Sequence, residues 1–207
     1  MRKFMWKRLA IAVVFFSATG ALFAQTEDVA VSGGWSVFPD PRIGDFTVFD
    51  EDFNAFPLEV TASNGVRIGV RLSVNRSHFS HELNYAWQRS KLNLATRGVS
   101  IHHFYYNALV HATPKDAAVR PFVTAGGGFS AFFNPGASSL AGISASENKL
   151  GYNYGGGIKF RLTDRFGLRL DVRDHVTGAP FERHVENGGG TLHNVEFSVG
   201  FALLDLW

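Results

Sequence analysis

LGYNYGGGIKFRLTDRFGLRLDVRD, residues Leu150 to Asp174, is the stretch whose reading decides the fold. Tyr154, Gly156, Ile158, Phe160 and Leu162 share one parity, and Gly155, Gly157, Lys159 and Arg161 share the other. A two-residue period of this kind belongs to a β-strand with one apolar face. After the break at Thr163-Asp164-Arg165 the period resumes, with Phe166, Leu168, Leu170 and Val172 alternating with Gly167, Arg169, Asp171 and Arg173. Two strands of matched length around so short a break predict a tight hairpin, apolar on one side and small or charged on the other.

The first 24 of the 207 residues read as an export signal rather than as structure. Arg2, Lys3, Lys7 and Arg8 form a basic start, Leu9 to Phe16 a short apolar stretch, and Ala24-Gln25 a cleavage point, although Leu22 is larger than usual there. The uncharged run from Leu9 to Ala24 is shorter than the roughly 20 residues a membrane-crossing helix needs. Residues 25–207 then suffice for one domain and not for a second substantial one. Losing four basic residues with the leader turns the net charge from +2 to −2, so the basic character is partly a property of the leader and nothing argues for nucleic acid. With no cysteine, neither a disulfide nor a lipidated cysteine is available. No later run is long enough for a membrane helix, so a membrane-inserted form has to use strands.

The same alternation recurs along the chain. A first strand fits Val29 to Phe38, with Val29, Val31, Trp35 and Val37 on one face, and Pro39 and Pro41 end it. In the segment that follows, Phe46, Phe49, Phe53 and Phe56 fall at helical spacing among Asp45, Asp50, Glu51 and Asp52. This fits a short amphipathic helix at a membrane interface, but the favoured expectation is a loop that packs its own aromatics, with a partner-binding or cation-bridging acidic loop as the lesser one. Further strands are expected at Val66 to Val74, Phe79 to Trp87, Ser100 to Ala112, and from Arg120 through RPFVTAGGGFSAFF. In the strand from Ser100, Phe104, Tyr106, Ala108 and Val110 are assigned outward, because the other parity holds His103, Asn107 and His111. The Leu150–Asp174 hairpin supplies two more strands, and Leu192 to Leu203 the eighth. Loops are expected at Gln88 to Gly98, Asn134 to Lys149 and Asp174 to Gly190.

Long connections after the first, third, fifth and seventh strands alternate with short turns after the second, fourth and sixth. One end of the sheet is therefore loop-rich and the other trimmed, the asymmetry of barrels with long outer loops and short periplasmic turns. A closed sheet with lipid outside and a narrow interior lined by small and charged residues accounts for both faces. The expected class is all-β, an eight-stranded antiparallel up-and-down transmembrane β-barrel. The Gly155–Asp174 hairpin, with Arg120 to Gly128 before it, resembles the eight-stranded outer-membrane β-barrel domain of the outer membrane protein A and X type. The resemblance implies an outer-membrane address, outer-membrane lipid including lipopolysaccharide as surroundings, and delivery by the barrel-assembly machinery, with a monomer expected. It further implies a final strand read by that machinery, which Val199, Phe201, Leu203 and Trp207 would supply, although Leu204-Asp205-Leu206 breaks the parity. Many relatives carry a peptidoglycan-binding domain after the barrel; none is expected here.

Nine ionisable residues are assigned to the interior: Arg67, Arg71, Glu82, Lys159, Arg161, Arg169, Asp171, Arg173 and Glu196. Buried charges persist when paired and hydrogen-bonded, so a salt-bridge network is the expectation. The rival is a small-solute channel lined by a basic excess, which an eight-stranded interior has little room to provide. His78, Ser80 and Glu82 share a parity, as a lipid A-modifying enzyme would need, yet they spread over about 14 Å of strand, whereas a nucleophile and its base have to touch. No catalytic residue is assigned. The histidines, including His102, His103, His175, His184 and His193, lack a compact ligand spacing and are read as solvated or interfacial, so no metal and no cofactor is expected. A soluble periplasmic lipid-binding barrel is the third class, and it requires the apolar residues to face inward.

Overall fold

A computed structural model describes residues 26–93, 98–133, 146–181 and 189–206. The expected leader, Trp207, His184, residues 134–145 of the loop expected from Asn134 and residues 182–188 of the one expected from Asp174 lie outside the described residues. Nine strands form among the described residues, in chain order β1 (Thr26–Val37), β2 (Arg42–Phe49), β3 (Ala55–Asn75), β4 (Phe79–Leu92), β5 (Val99–His111), β6 (Val119–Phe133), β7 (Ser146–Arg161), β8 (Phe166–Gly178) and β9 (Thr191–Leu203). Every neighbouring pair is antiparallel. β1 pairs with both β9 and the second half of β3, which closes β1 and β3 to β9 into an eight-stranded barrel. β2 pairs only with the first half of β3 and lies outside the closed ring.

Side-chain orientation follows the alternation. On β4, Phe79, Leu83 and Tyr85 are exposed, while Ser80, Glu82, Asn84 and Gln88 are buried. On β5, Phe104, Tyr106 and Val110 point out, and His103, Asn107 and His111 point in. The outer wall thus carries a continuous belt of exposed Val, Leu, Phe and Tyr, far beyond the apolar patch a water-soluble monomer displays. This is the reverse of a soluble lipid-binding barrel.

Glycines permit the tight wall between β5 and β8. A Cβ on Gly128 would lie 2.0 Å from the Phe104 carbonyl oxygen, and one on Gly155 would lie 2.1 Å from that of Val172. No side chain fits at such separations. The bare backbone also leaves room for the large inward side chains of β8.

Four expectations are corrected. The Phe46–Phe56 segment forms neither a helix nor a loop packed on its own aromatics: it makes β2, a turn, and the start of β3, with Phe49, Phe53 and Phe56 exposed. The expected loop from Gln88 begins only after Leu92, and the one ending at Lys149 gives way to β7 at Ser146. The loop assigned from Asp174 begins after Gly178, which places His175 on β8 with its side chain buried. Leu203 ends β9; beyond it the Leu204 amide donates to the Arg165 carbonyl, and Asp205 adopts φ +52°.

Candidate functional site: the barrel interior and the outer hairpin

The interior is layered from the short-turn end to the loop end. Nearest the short turns, Ser80 donates to Asn75 Oδ1 at 2.8 Å and sits 2.9 Å from His111 Nε2. Lys159 reaches Asn75 at 3.3 Å and Asp28 at 3.7 Å. A cavity of about 30 Å³ lies beside Asp28, Arg120 and Lys159, roughly the space of one water.

The middle layer is a charge cluster. Arg169 grips Asp171 through Nε at 2.7 Å and Nη2 at 3.0 Å, the two-pronged geometry a guanidinium offers a carboxylate. Its Nη1 donates to Glu82, and its plane lies 4.7 Å from the centre of the Phe122 ring, a cation–π contact. Arg173 Nη2 reaches Glu82 at 2.8 Å and Asp171 at 3.1 Å. Arg71 crosses to Asp171 at 3.1 Å and to Glu196 at 2.8 Å, and Arg67 is ion-paired with Glu196 at 3.0 Å. Four guanidinium groups therefore surround three carboxylates, and none of the seven residues is more than 3% exposed. Two of the contacts, Arg169 and Arg173 with Asp171, lie within β8, and the others join strands distant in sequence: Glu82 on β4 meets Arg169 and Arg173 on β8, and Glu196 on β9 meets Arg67 and Arg71 on β3.

Towards the loop end the layer becomes neutral. His175 Nε2 contacts Glu196 at 3.0 Å, His103 bridges Ser130 and Gln88, and Asn194 donates to Gln88 at 2.8 Å. Above this an apolar cap of Phe38, Ile43, Leu92, Ile101, Phe132 and Phe181 fills the mouth, around a void of about 10 Å³. Phe181 holds φ +64°, its ring set edge-on against Phe132 and its amide donating to Glu147.

Of the nine residues assigned to the interior, the structure brings Arg67, Arg71, Glu82, Arg169, Asp171, Arg173 and Glu196 together. Lys159 belongs to the layer below. Arg161 stands apart at the short-turn end, 3.1 Å from Asp205 and with about a quarter of its side chain exposed. Sequence reading missed Asp28, buried on β1, and the inward His175; His103 and His111 lie on the inward parity expected for them, and His103 and His175, expected to be solvated or interfacial, are buried. Their strand parity was the available signal. Val199, Phe201 and Leu203 all face outward on β9. His78 is exposed in a turn and hydrogen-bonds Ser77, so His78, Ser80 and Glu82 do not assemble; Ser80 is sealed and Glu82 is committed to arginines. Among the described residues, no group of three or more His, Asp and Glu side chains is arranged to hold a metal ion. His193 is outward on β9, 2.6 Å from Asp174, which also accepts from Tyr154 at 3.0 Å.

The second distinctive element is the β2–β3 hairpin. Val48 lies opposite Phe56, and Thr47 opposite Pro57. Asp50 organises its turn: Oδ1 accepts from the Asp52 and Asn54 amides and Oδ2 from the Asn54 side chain. These bonds from Asn54 hold the Asp50 carboxyl below its ordinary range. The turn presents Phe53 at φ +62°, 85% exposed. A left-handed φ is costly for a bulky side chain, and here the turn's hydrogen bonds offset it.

Comparison with known proteins agrees with this architecture. No curated protein matches the chain at the sequence level. Among solved structures, the outer membrane protein OprG from Pseudomonas aeruginosa superposes with a TM-score of 0.57 at 14% identity, over 86% of this chain and 95% of that one. The outer membrane protein AlkL, solved in DMPC lipid bilayers, gives 0.54 at 14% identity, over 86% and 89%. At such identities the likeness is one of fold. The family model for the outer membrane protein β-barrel domain matches residues 9–203, and the chain belongs to that family of outer-membrane barrels.

Proposed function

We propose that the protein is a non-catalytic outer-membrane barrel with a packed interior, and that its contacts with other molecules are made outside the barrel, chiefly by the β2–β3 hairpin. The observation that carries this reading is the charge layer. Arg71, Glu82, Arg169, Arg173 and Glu196 fill the cross-section at 0–1% exposure, and the apolar cap lies over them. A solute path requires water-lined space through this layer, and every carboxylate there is already engaged by guanidinium groups. Export through an amino-terminal signal, residence among outer-membrane lipids and assembly through the terminal strand belong to the same proposal.

Recording of the purified, refolded barrel in planar bilayers tests it. Silence across the voltage range is the expected result, and steady ohmic steps would establish the small-solute channel instead. Incubation with lipid A esters is expected to release no fatty acid.

A further inference from the structure

We infer that the outer wall over β4, β5 and β6 carries a binding site for one molecule of phosphorylated, acylated glycolipid, the lipid A portion of the outer leaflet. The inference rests on the outer-membrane reading and assigns a place and a chemistry to its lipid partner. An open groove of about 470 Å³ runs between Leu83 and Tyr85 on β4, Phe104 and Tyr106 on β5, and Phe129 on β6. Its floor is Gly127, set opposite Tyr106 in the pairing of β5 with β6. Gly127 faces outward, and a Cβ there would meet nothing nearer than 3.9 Å. Unlike Gly128, it is therefore not required by a close approach of backbones. It leaves a notch in an otherwise bulky wall, and Phe104 stacks on Phe129 with ring centres 5.0 Å apart as one side of it.

Charge stands further along the wall towards the loop end: Gly127 is level with Tyr106 and Leu83 in the strand pairing, and Arg89 lies six residues, about 20 Å, beyond Leu83 on β4. Tyr85, Trp87, Arg89 and Lys91 follow one another on the outward face of β4, so Arg89 lies about 13 Å up the strand from Tyr85 and Lys91 about 7 Å further. Both cations are exposed, at the end of β4 away from the short turns, which is the outer-leaflet end. Arg89 donates to Ser100 Oγ at 2.9 Å, and neither cation is ion-paired with a carboxylate among the described residues. Next to Trp87, His102 hydrogen-bonds the Tyr85 hydroxyl at 3.0 Å, a polar contact at the level where headgroup meets chain. In lipid there is no hydrophobic drive to bring a chain to the wall, so shape and charge select what stays. A notch that receives an acyl chain, with two cations that no described carboxylate neutralises on the headgroup side of it, fits a multiply anionic, phosphorylated glycolipid better than a zwitterionic phospholipid.

Native mass spectrometry of the detergent-folded protein, titrated separately with diphosphoryl lipid A, monophosphoryl lipid A and phosphatidylethanolamine, tests the site. The expected result is a saturable 1:1 complex with diphosphoryl lipid A, weaker retention of the monophosphoryl form, and no saturable phosphatidylethanolamine complex. R89Q/K91Q is expected to weaken lipid A binding about tenfold, and G127L about threefold by filling the notch. Heat-modifiable migration identifies folded samples, and K91Q alone decides the charge arm if the double variant does not fold. Equal retention of lipid A and phosphatidylethanolamine, or lipid A binding unchanged in R89Q/K91Q or in G127L, would overturn the site while leaving a folded outer-membrane barrel. Channel activity would overturn the proposed function without touching this result.

Discussion

One strand, β3, runs through both of the molecule's contrasting regions. Its second half lines the barrel, where Arg67 and Arg71 point inward into a layer of paired charge. Its first half leaves the barrel and builds the β2–β3 hairpin, where Phe56 stands nearly half exposed. The barrel half is over-determined: each backbone edge is paired, and each charged group is held by partners from other strands. The hairpin half is a two-stranded ribbon in which β2 is the last strand of the sheet order among the described residues, a form that is marginally stable alone. The contrast teaches that stability and contact-making are segregated within a single strand.

The largest way to break that contrast is Glu82→Ala. It leaves Arg169 and Arg173 short of a carboxylate in a dry interior, a loss of about 3–5 kcal/mol. Urea unfolding in detergent, followed by heat-modifiable mobility, checks it, and an unchanged midpoint would mean that the cluster is not what holds the barrel. Gly128→Ala comes next, because its methyl would overlap the Phe104 carbonyl and force β5 and β6 apart; a loss of about 1–3 kcal/mol is expected in the same assay.

The hairpin should respond in the opposite way. Phe49, Phe53 and Phe56 replaced together by serine should leave barrel stability within about 0.5 kcal/mol of the parent. A drop comparable to that of Glu82→Ala would show that hairpin and barrel fold as one cooperative unit. The smallest effect concerns the turn. The Asp50 carboxyl is held below its ordinary value of 3.8, so its support is present above that pH and is lost as pH falls through the lowered value. Hydrogen exchange at the Phe53 and Asn54 amides should therefore show added protection loss on acidification in the parent relative to Asp50→Ala, with barrel amides unaffected.

Legibility of the chain followed the same division. Wherever a strand lies between lipid and interior, its two faces demand opposite chemistry, and the alternation on β4, β5, β6 and β8 shows directly which residues point in. On β5 the assignment rested on His103, Asn107 and His111 sharing a parity, and these three are buried. Between Asp40 and Thr61 the alternation carries no such information, because β2 and the first half of β3 lie outside the closed ring and have no two-sided environment. Phe46, Phe49, Phe53 and Phe56 are spaced like a helix only because a turn interrupts two strands, and a spacing counted across a turn is not a period. His175 was misplaced for a related reason: Asp174 and His175 resemble loop chemistry, yet Asp174 faces outward to Tyr154 and His193 while His175 faces inward to Glu196.

Local chemistry along the chain determined a strand-built barrel, the side of most strands that meets lipid, and seven of the charges that form the interior cluster, because burial preference acts on each residue separately. Which charges meet was decided only by closure and stagger of the sheet. These set Glu82 across from Arg169 and Arg173, drew Arg71 and Arg67 to Glu196, and left Arg161 at the short-turn end with Asp205. Tertiary structure also decided that the interior is sealed, since filling a cross-section depends on side chains from several strands reaching the same point. The same holds for the notch at Gly127 and, further along the wall, Arg89 and Lys91: the glycine belongs to β6, the cations to β4, and only the pairing through β5 makes them one surface.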